Sequence, residues 1–206
     1  MVFGKKDLLR SEKFKNLCVA FNKKYSEKDE YGILEFLKYF ELYHRRGKIT
    51  NLCMSKSENL DMSFYLFDYQ YVIQAGNHAR RIKQTVYFVQ DRNMHLPVFF
   101  MKPEHLGHKI AAYLGWEDID FETSPTFSDS YYLQGEDVPW IRDNFKEPVL
   151  SFFSASSGWN VEAANHFLLF YAKNALIPEN ILFDFYKMGG HVHFLFKESQ
   201  KELTDL

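Results

Sequence analysis

Phe64-Tyr65-Leu66-Phe67-Asp68-Tyr69-Gln70-Tyr71-Val72, followed by Ile82-Lys83-Gln84-Thr85-Val86-Tyr87-Phe88-Val89-Gln90, is the stretch that decides the fold. Side chains along a strand alternate between its two faces. Phe64, Leu66 and Asp68 therefore share one face, and Tyr65, Phe67, Tyr69 and Tyr71 the other. Rings on one side and mixed residues on the other predict a half-buried strand. In the second run Ile82, Gln84, Val86 and Phe88 alternate with Lys83, Thr85, Tyr87 and Val89. Ala75-Gly76-Asn77-His78 is a turn short enough to join the two runs as an antiparallel hairpin.

Working outward, Ile49–Ser55, Pro97–Lys102 and Ser130–Gln134 read as further extended segments. Trp159–Ala163 and His166–Tyr171 read as a second hairpin around Ala164-Asn165. Helical spacing appears at Asp7–Asn22, where Leu9, Phe14, Leu17, Cys18 and Phe21 form one apolar face. It recurs at Ile33, Leu34, Leu37 and Phe40, with the polar Lys23–Glu30 between the two as a turn. Pro103 opens a predicted helix to Leu114 that Gly115 ends. Asp137 is positioned to cap another helix with Trp140, Ile141 and Phe145 turned inward. Pro148 breaks or restarts that helix. Pro178 opens the last one, with Ile181, Leu182, Phe185 and Met188 in step. Gly189-Gly190 interrupts it at about 1 kcal/mol per residue relative to Ala, and the reading favours helix over strand for the H-V-H-F-L-F that follows. The expected fold is α+β: an antiparallel or mixed sheet of about six short strands packed against helices. Residues 1–45 form an N-terminal helical segment on the main domain, 46–200 the α+β domain, and 201–206 a tail.

Composition sets limits on function. Of 206 residues, 46% are hydrophobic, with 21 Phe and 13 Tyr, which is ample for a packed core and excludes general disorder. Net charge is -2, so no global basic field attracts nucleic acid. Residues 1–60 nevertheless carry 13 Lys+Arg against 8 Asp+Glu, and the remainder 12 against 19, so the two parts can attract each other within or between chains. Cys18 and Cys53 belong to no C-x-x-C pair and read as two small buried hydrophobes, which points to a reducing cytosol. No apolar run approaches the ~18 residues of a membrane helix, and Met1–Arg10 is no signal peptide. A cytoplasmic protein is expected.

No complete catalytic, metal or nucleotide motif occurs. Asp118 and Asp120 are the obvious carboxylate pair, with Glu117, Glu122 and Asp129 nearby; their spacing does not match the Ca²⁺ loop, and capping helices and bonding loop amides accounts for them more simply. His105 and His108 lie three apart on the predicted helix, and His191 and His193 share a face if extended. Neither pair has an evident third ligand or the H-E-x-x-H pattern, so no metal or cofactor is expected. Ser156-Ser157-Gly158 is a turn and not a nucleophile elbow. Arg80-Arg81-x-Lys83 fits a solvated sheet edge better than a phosphate site.

The order F-D-Y-Q-Y at 67–71, Q-T-V at 84–86, L-P-V-F at 96–99, D-I-D-F at 118–121, P-T-F-S at 125–128 and Y-Y-L-Q-G-E-D at 131–137 resembles an uncharacterised family of bacterial proteins. The resemblance spans roughly Leu37 to Tyr171. It implies an α+β domain with an antiparallel sheet and carries over no catalytic residues; some members have flanking membrane helices. Phe121 and Phe127 are expected to pin the shared loop to the core while Asp120, Ser124 and Ser128 satisfy its amides. The leading expectation is a non-enzymatic module acting through a protein partner or as a homo-oligomer. The alternative is an enzyme or a small-ligand or metal binder using Asp118 and Asp120 with a histidine, His105 or His108 being the candidates.

Overall fold

Two 14-residue strands form the centre of the molecule. In the computed structural model, which describes residues 5–57, 61–76, 78–104 and 118–204, the predicted hairpin is β3 (Met62–Ala75) and β4 (His78–Asp91). Its register pairs Leu66 with Tyr87 and Asp68 with Thr85. Around it stand β1 (Lys24–Lys28), β2 (Lys48–Lys56), β5 (Leu96–Pro103), β6 (Tyr131–Gly135), β7 (Asn160–Asn165) and β8 (Phe167–Tyr171). The sheet order is β1-β2-β3-β4-β8-β7-β5-β6, and all neighbouring pairs are antiparallel. The expected α+β class and antiparallel pairing hold. Among the described residues the sheet has eight strands, not about six, and its central pair is long.

The additional edge strand is β1, which falls in the segment read as a polar turn. K-Y-S-E-K buries only Ser26, so it carries almost no alternation to read. It pairs with β2 all the same, Tyr25 opposite Cys53.

Both faces of the central strands are covered, which corrects the half-buried expectation. On one face Leu66, Tyr87 and Val89 pack with α1 (Lys5–Ala20), α4 (Val138–Asn144), α5 (Glu147–Ala155) and α6 (Leu182–Thr204). On the other, Tyr65, Phe67, Tyr69, Tyr71 and Phe88 pack with α2 (Ile33–Leu37) and the strap that follows it, residues 38–47. A sheet buried on both sides needs apolar residues at consecutive positions, and Val86-Tyr87-Phe88-Val89 supplies them.

The apolar face of α1 is rotated from the expected one. Phe14, Leu17 and Cys18 are buried, but Leu9 is 52% exposed and Arg10 is turned inward at 5%. Cys18 and Cys53 do not stay separate thiols. The structure pairs them as a disulfide between α1 and β2, with Cα atoms 5.8 Å apart, inside the usual range. This pairing removes the thiol argument for a reducing compartment.

Helix α6 runs unbroken through Gly189-Gly190. A Cβ on Gly189 would lie 2.3 Å from Cγ of the buried Tyr87, so glycine is what lets the helix touch the sheet there. Asp137 caps α4, its carboxylate accepting from Trp140 N–H, and Pro148 stands in the first turn of a restarted helix, α5. Pro103 ends β5 rather than opening a helix, and Glu104 N–H donates to Ser130 O; residues 105–114 of the predicted helix lie outside the described residues. No helix among the described residues is long and apolar enough to cross a membrane.

Candidate functional site

The interior ionisable groups fall into three clusters, each tying an outer element to the sheet. In the first, Arg10 of α1 reaches Asp68 with Nε and Nη2, both at 2.8 Å, and donates from Nη2 to Thr85 Oγ1 at 2.7 Å and from Nη1 to Ile177 O at 2.5 Å. Thr85 Oγ1 donates to Asp68 Oδ1 and accepts from Ile177 N–H. Asn51 donates its amide to Asp68 from a bulge in β2, where its φ is 52°. Asn tolerates that left-handed backbone better than most residues. A bidentate pair with its remaining positions filled is how a buried charge is tolerated; removing one partner typically costs 3–5 kcal/mol.

In the second, Asp91 at the end of β4 accepts from Lys197 Nζ at 2.7 Å, contacts His193 Nε2 at 3.0 Å and accepts from Asn93 N–H. Burial pushes the His193 imidazole below its ordinary value, against the pull of Asp91. His191, its expected partner, lies exposed on the helix.

The third cluster is the closest to a chemical site. Register places Glu162 of β7 beside Phe100 of β5 and Leu169 of β8, and Asn160 beside Tyr171. Lys102, one position beyond the last β5–β7 pair, Met101–Val161, pairs with Tyr132 of β6. Glu162 is fully buried. It accepts from Glu41 N–H at 2.6 Å, from Leu42 N–H at 3.0 Å and from Tyr171 Oη at 2.6 Å. Burial pushes its carboxyl up to about 7, with Glu41 adding to the effect and the three donors opposing it. Burial likewise lowers the Lys102 ammonium, and Glu41, Lys173 and Asp118 act on it electrostatically. Lys102 lies 4.7 Å from the Tyr132 ring centroid. Among the described residues, neither polar atom of the buried Asn160 carboxamide has a hydrogen-bond partner.

The sequence-derived candidates are not brought together. Asp118 accepts from Leu133 N–H at 2.9 Å, and Ile119 N–H donates to Leu133 O at 2.8 Å, so this stretch lies along β6. Burial raises the Asp118 carboxyl, with Asp120 and Glu104 adding to the rise. Asp120 is exposed, and only its carbonyl is engaged, by Arg142 Nη1 at 2.7 Å. Phe121 and Phe127 are buried edge to face, 5.6 Å apart, and Phe121 N–H donates to Ser128 Oγ at 2.8 Å. Pro125–Ser128 forms a single turn, α3. His105 and His108 lie outside the described residues. No group of three His, Cys, Asp or Glu able to hold a metal occurs among the described residues.

Sequence reasoning missed Glu162, Tyr171, Asn160 and Lys102. The available signal was polar residues at inward positions of otherwise apolar strands: Glu162 follows Val161, and Asn160 precedes it. Sequence reasoning also missed an open cleft of about 240 Å³ between α1 and the start of α6, lined by Lys13, Asn16, Leu17, Ala20, Glu179, Leu182 and Phe183. Phe183 stacks on Phe21 with ring centroids 4.4 Å apart, and Lys187 Nζ lies 4.6 Å from the Phe183 centroid.

No protein-family model matches the chain, and no curated protein matches it. Among solved structures, the mycobacterial trehalose monomycolate transport factor A, TtfA, is similar, with a TM-score of 0.63 at 9% identity over 92% of this chain and 93% of that one. At that identity the likeness is one of fold.

Proposed function

We propose that the chain is a non-catalytic interaction domain that docks a partner at the cleft between α1 and the start of α6. The carrying observation is where the unburied apolar surface lies. Phe183, 39% exposed, lines the cleft, and Leu8, Leu9 and Val19 on α1 and Ile181 just before α6 are 42–80% exposed. Clustered apolar exposure marks interaction surfaces, whereas scattered exposure does not. By contrast, the clusters around Asp68, Asp91 and Glu162 spend their hydrogen bonds on holding helices and strap to the sheet.

Affinity capture from the native host tests this. The wild-type chain retains a stoichiometric partner, and Phe183→Glu, which puts a charge on the cleft wall, loses it. Equal retention by both proteins, or none by either, contradicts the proposal.

One observation favours a second reading, binding of a small polar ligand on the strap side of the sheet beside Lys102. It is the Asn160 carboxamide, buried with neither atom bonded; such groups cost about 1–3 kcal/mol each when left unpaired. If Asn160 has no ligand role, Asn160→Leu raises the thermal midpoint and abolishes no ligand-induced shift in a screen of polar metabolites. Loss of such a shift would establish this reading.

A further inference from the structure

We propose that the free end of the β3–β4 hairpin is a membrane-docking ribbon, whose tip enters the headgroup region of an anionic bilayer. The proposal goes beyond the cleft reading above and uses different residues. The neighbouring strands stop short of this end: β2 pairs with β3 no farther than Gln70, and β8 pairs with β4 no farther than Val86. Tyr71 and Ile82 are still buried at the root. Beyond them, among the described residues, 72–75 and 78–81 pair only with each other. Gly76, with a φ of 59°, stands in the turn that joins them. Four further pairs at a rise of ~3.3 Å carry the tip about 13 Å past the root. Val72, Gln74, His78, Ala79, Arg80 and Arg81 are exposed there. Cross-strand partners share a face. Val72 stands opposite Arg81 and Ile73 opposite Arg80, so each face of the ribbon carries one aliphatic side chain beside one guanidinium.

The ribbon and its root are basic. Residues 69–90 contain Arg80, Arg81 and Lys83 and no Asp or Glu; the chain total of -2 less this +3 leaves -5 on the rest. Lys48 pairs with Gln70 at the root, and Arg45 and Arg46 lie in the turn before it, where Gly47 N–H donates to His44 O at 2.7 Å. All three are exposed. Among the described residues, no carboxylate stands within ion-pair distance of Arg45, Arg46, Lys48, Arg80 or Arg81. Asp68 and Glu179 are turned to Arg10, and Glu41 interacts with Lys102 and Lys173. Glu27 of β1, two strands from β3, and Glu30 just after it are exposed. The reach of the tip exceeds the Debye length of ~8 Å at physiological ionic strength, so the acidic remainder is largely screened from a surface that the tip touches.

The aliphatic neighbours of the arginines select a bilayer over other polyanions. A β-ribbon also enters the major groove of duplex DNA, but base readout there needs hydrogen-bonding side chains. The cross-strand partners of Arg81 and Arg80 are Val72 and Ile73, which have none to offer. At a headgroup boundary both kinds of residue are satisfied: the aliphatics and the arginine stems enter the acyl edge, and the guanidinium groups stay with the lipid phosphates. Clusters of about four to eight Lys and Arg are what anionic leaflets attract. Protection of an open strand edge accounts for cations on β4, but not for Arg45 and Arg46, which lie in a turn. Two aliphatics and five cations make a reversible contact rather than a permanent anchor.

Flotation of the full chain with vesicles of phosphatidylcholine, alone or with roughly 30% phosphatidylserine, tests it. The wild type is expected to float with the anionic vesicles, not with the neutral ones, and to be released at high salt. Arg80→Ala/Arg81→Ala should weaken binding about 25-fold, at roughly 5-fold per arginine. Val72→Ser should weaken it about 3-fold. Each position is exposed, and an unchanged thermal midpoint shows that the variants fold. No flotation of the wild type with anionic vesicles at about 0.1 M salt overturns the proposal. So does equal flotation with neutral vesicles, or equal flotation of wild type and the arginine variant. The same proteins titrated against a DNA duplex supply the remaining arm: binding tighter than to vesicles and indifferent to Val72→Ser would overturn the proposal and assign the ribbon to nucleic acid.

Discussion

Glutamate 162 makes stability fall as pH rises through neutrality, and replacing it with glutamine removes that dependence. In the folded chain its carboxyl is fully buried and titrates near 7, against an ordinary 4.5. The native state therefore binds more protons than the unfolded chain between those values. The stabilising contribution is fully present below the unfolded value and is lost as pH rises through the folded one. A displacement of about 2.5 pH units corresponds to about 3 kcal/mol. The three donors on the carboxylate, Glu41 N–H, Leu42 N–H and Tyr171 Oη, hold the ionised form in place but do not fully offset its burial. The assay is urea unfolding of wild type and Glu162→Gln at intervals from pH 4.5 to 8.5. Burial lowers His193 and His44, and a depressed histidine acts in the opposite sense, losing stability as pH falls, but these groups are common to both proteins and cancel in the difference. The wild type should lose about 3 kcal/mol relative to Glu162→Gln across the range. Parallel stability curves would refute the reasoning, because they would mean the carboxyl titrates alike in both states.

Gly189→Ala should destabilise, although alanine favours an exposed helix by about 1 kcal/mol. Its Cβ meets the Tyr87 ring, overpacking of that kind costs roughly 1–3 kcal/mol, and thermal denaturation beside Gly190→Ala, where the nearest Tyr87 atom is 3.8 Å away, would show the contrast. Asp118→Ala should cost about 1 kcal/mol by orphaning Leu133 N–H, whereas Asp120→Ala should change the midpoint little, since its side chain is not what Arg142 holds. Equal effects would remove Asp118 from its bracing role. The Cys18–Cys53 bond closes a loop over a separation of 35 residues, which the chain-entropy account values at about 4 kcal/mol. Intact mass before and after reduction should differ by two hydrogens, and Cys18→Ser/Cys53→Ser should unfold at markedly lower urea.

The hairpin of β3 and β4 was legible because rings and aliphatics repeat at period two over long runs, and the later helices because of the Asp137 cap, the proline in the first turn of α5 and the apolar spacing of Leu182 and Phe185, although α6 begins at Leu182 and not at Pro178. β1 was not, because an edge strand with one buried residue has no pattern. The inward turn of Arg10 was hidden for a different reason. A charged residue occupies an apolar-face position only where a partner waits, and Asp68 stands 58 positions away. The Glu162 cluster depends on register between β5, β7 and β8 and on a strap from residues 38–47 crossing above them, none of which local spacing encodes. The acidic loop misled in the opposite direction. Asp118 and Asp120, two positions apart, would share a face on a regular strand, but Asp118 is turned to Leu133 N–H while Asp120 is exposed, so the two carboxylates do not converge on a common ligand.

Docking at the α1/α6 cleft can be read most directly by placing a photo-crosslinking amino acid at Phe183 in the full chain, and in a separate sample at Phe194, which is 53% exposed farther along α6. Irradiation in the native host should yield a discrete adduct from position 183, either a dimer of the chain or one defined partner, and none from position 194. Equal labelling from both positions, or none from 183, would contradict the assignment of the cleft as the working surface.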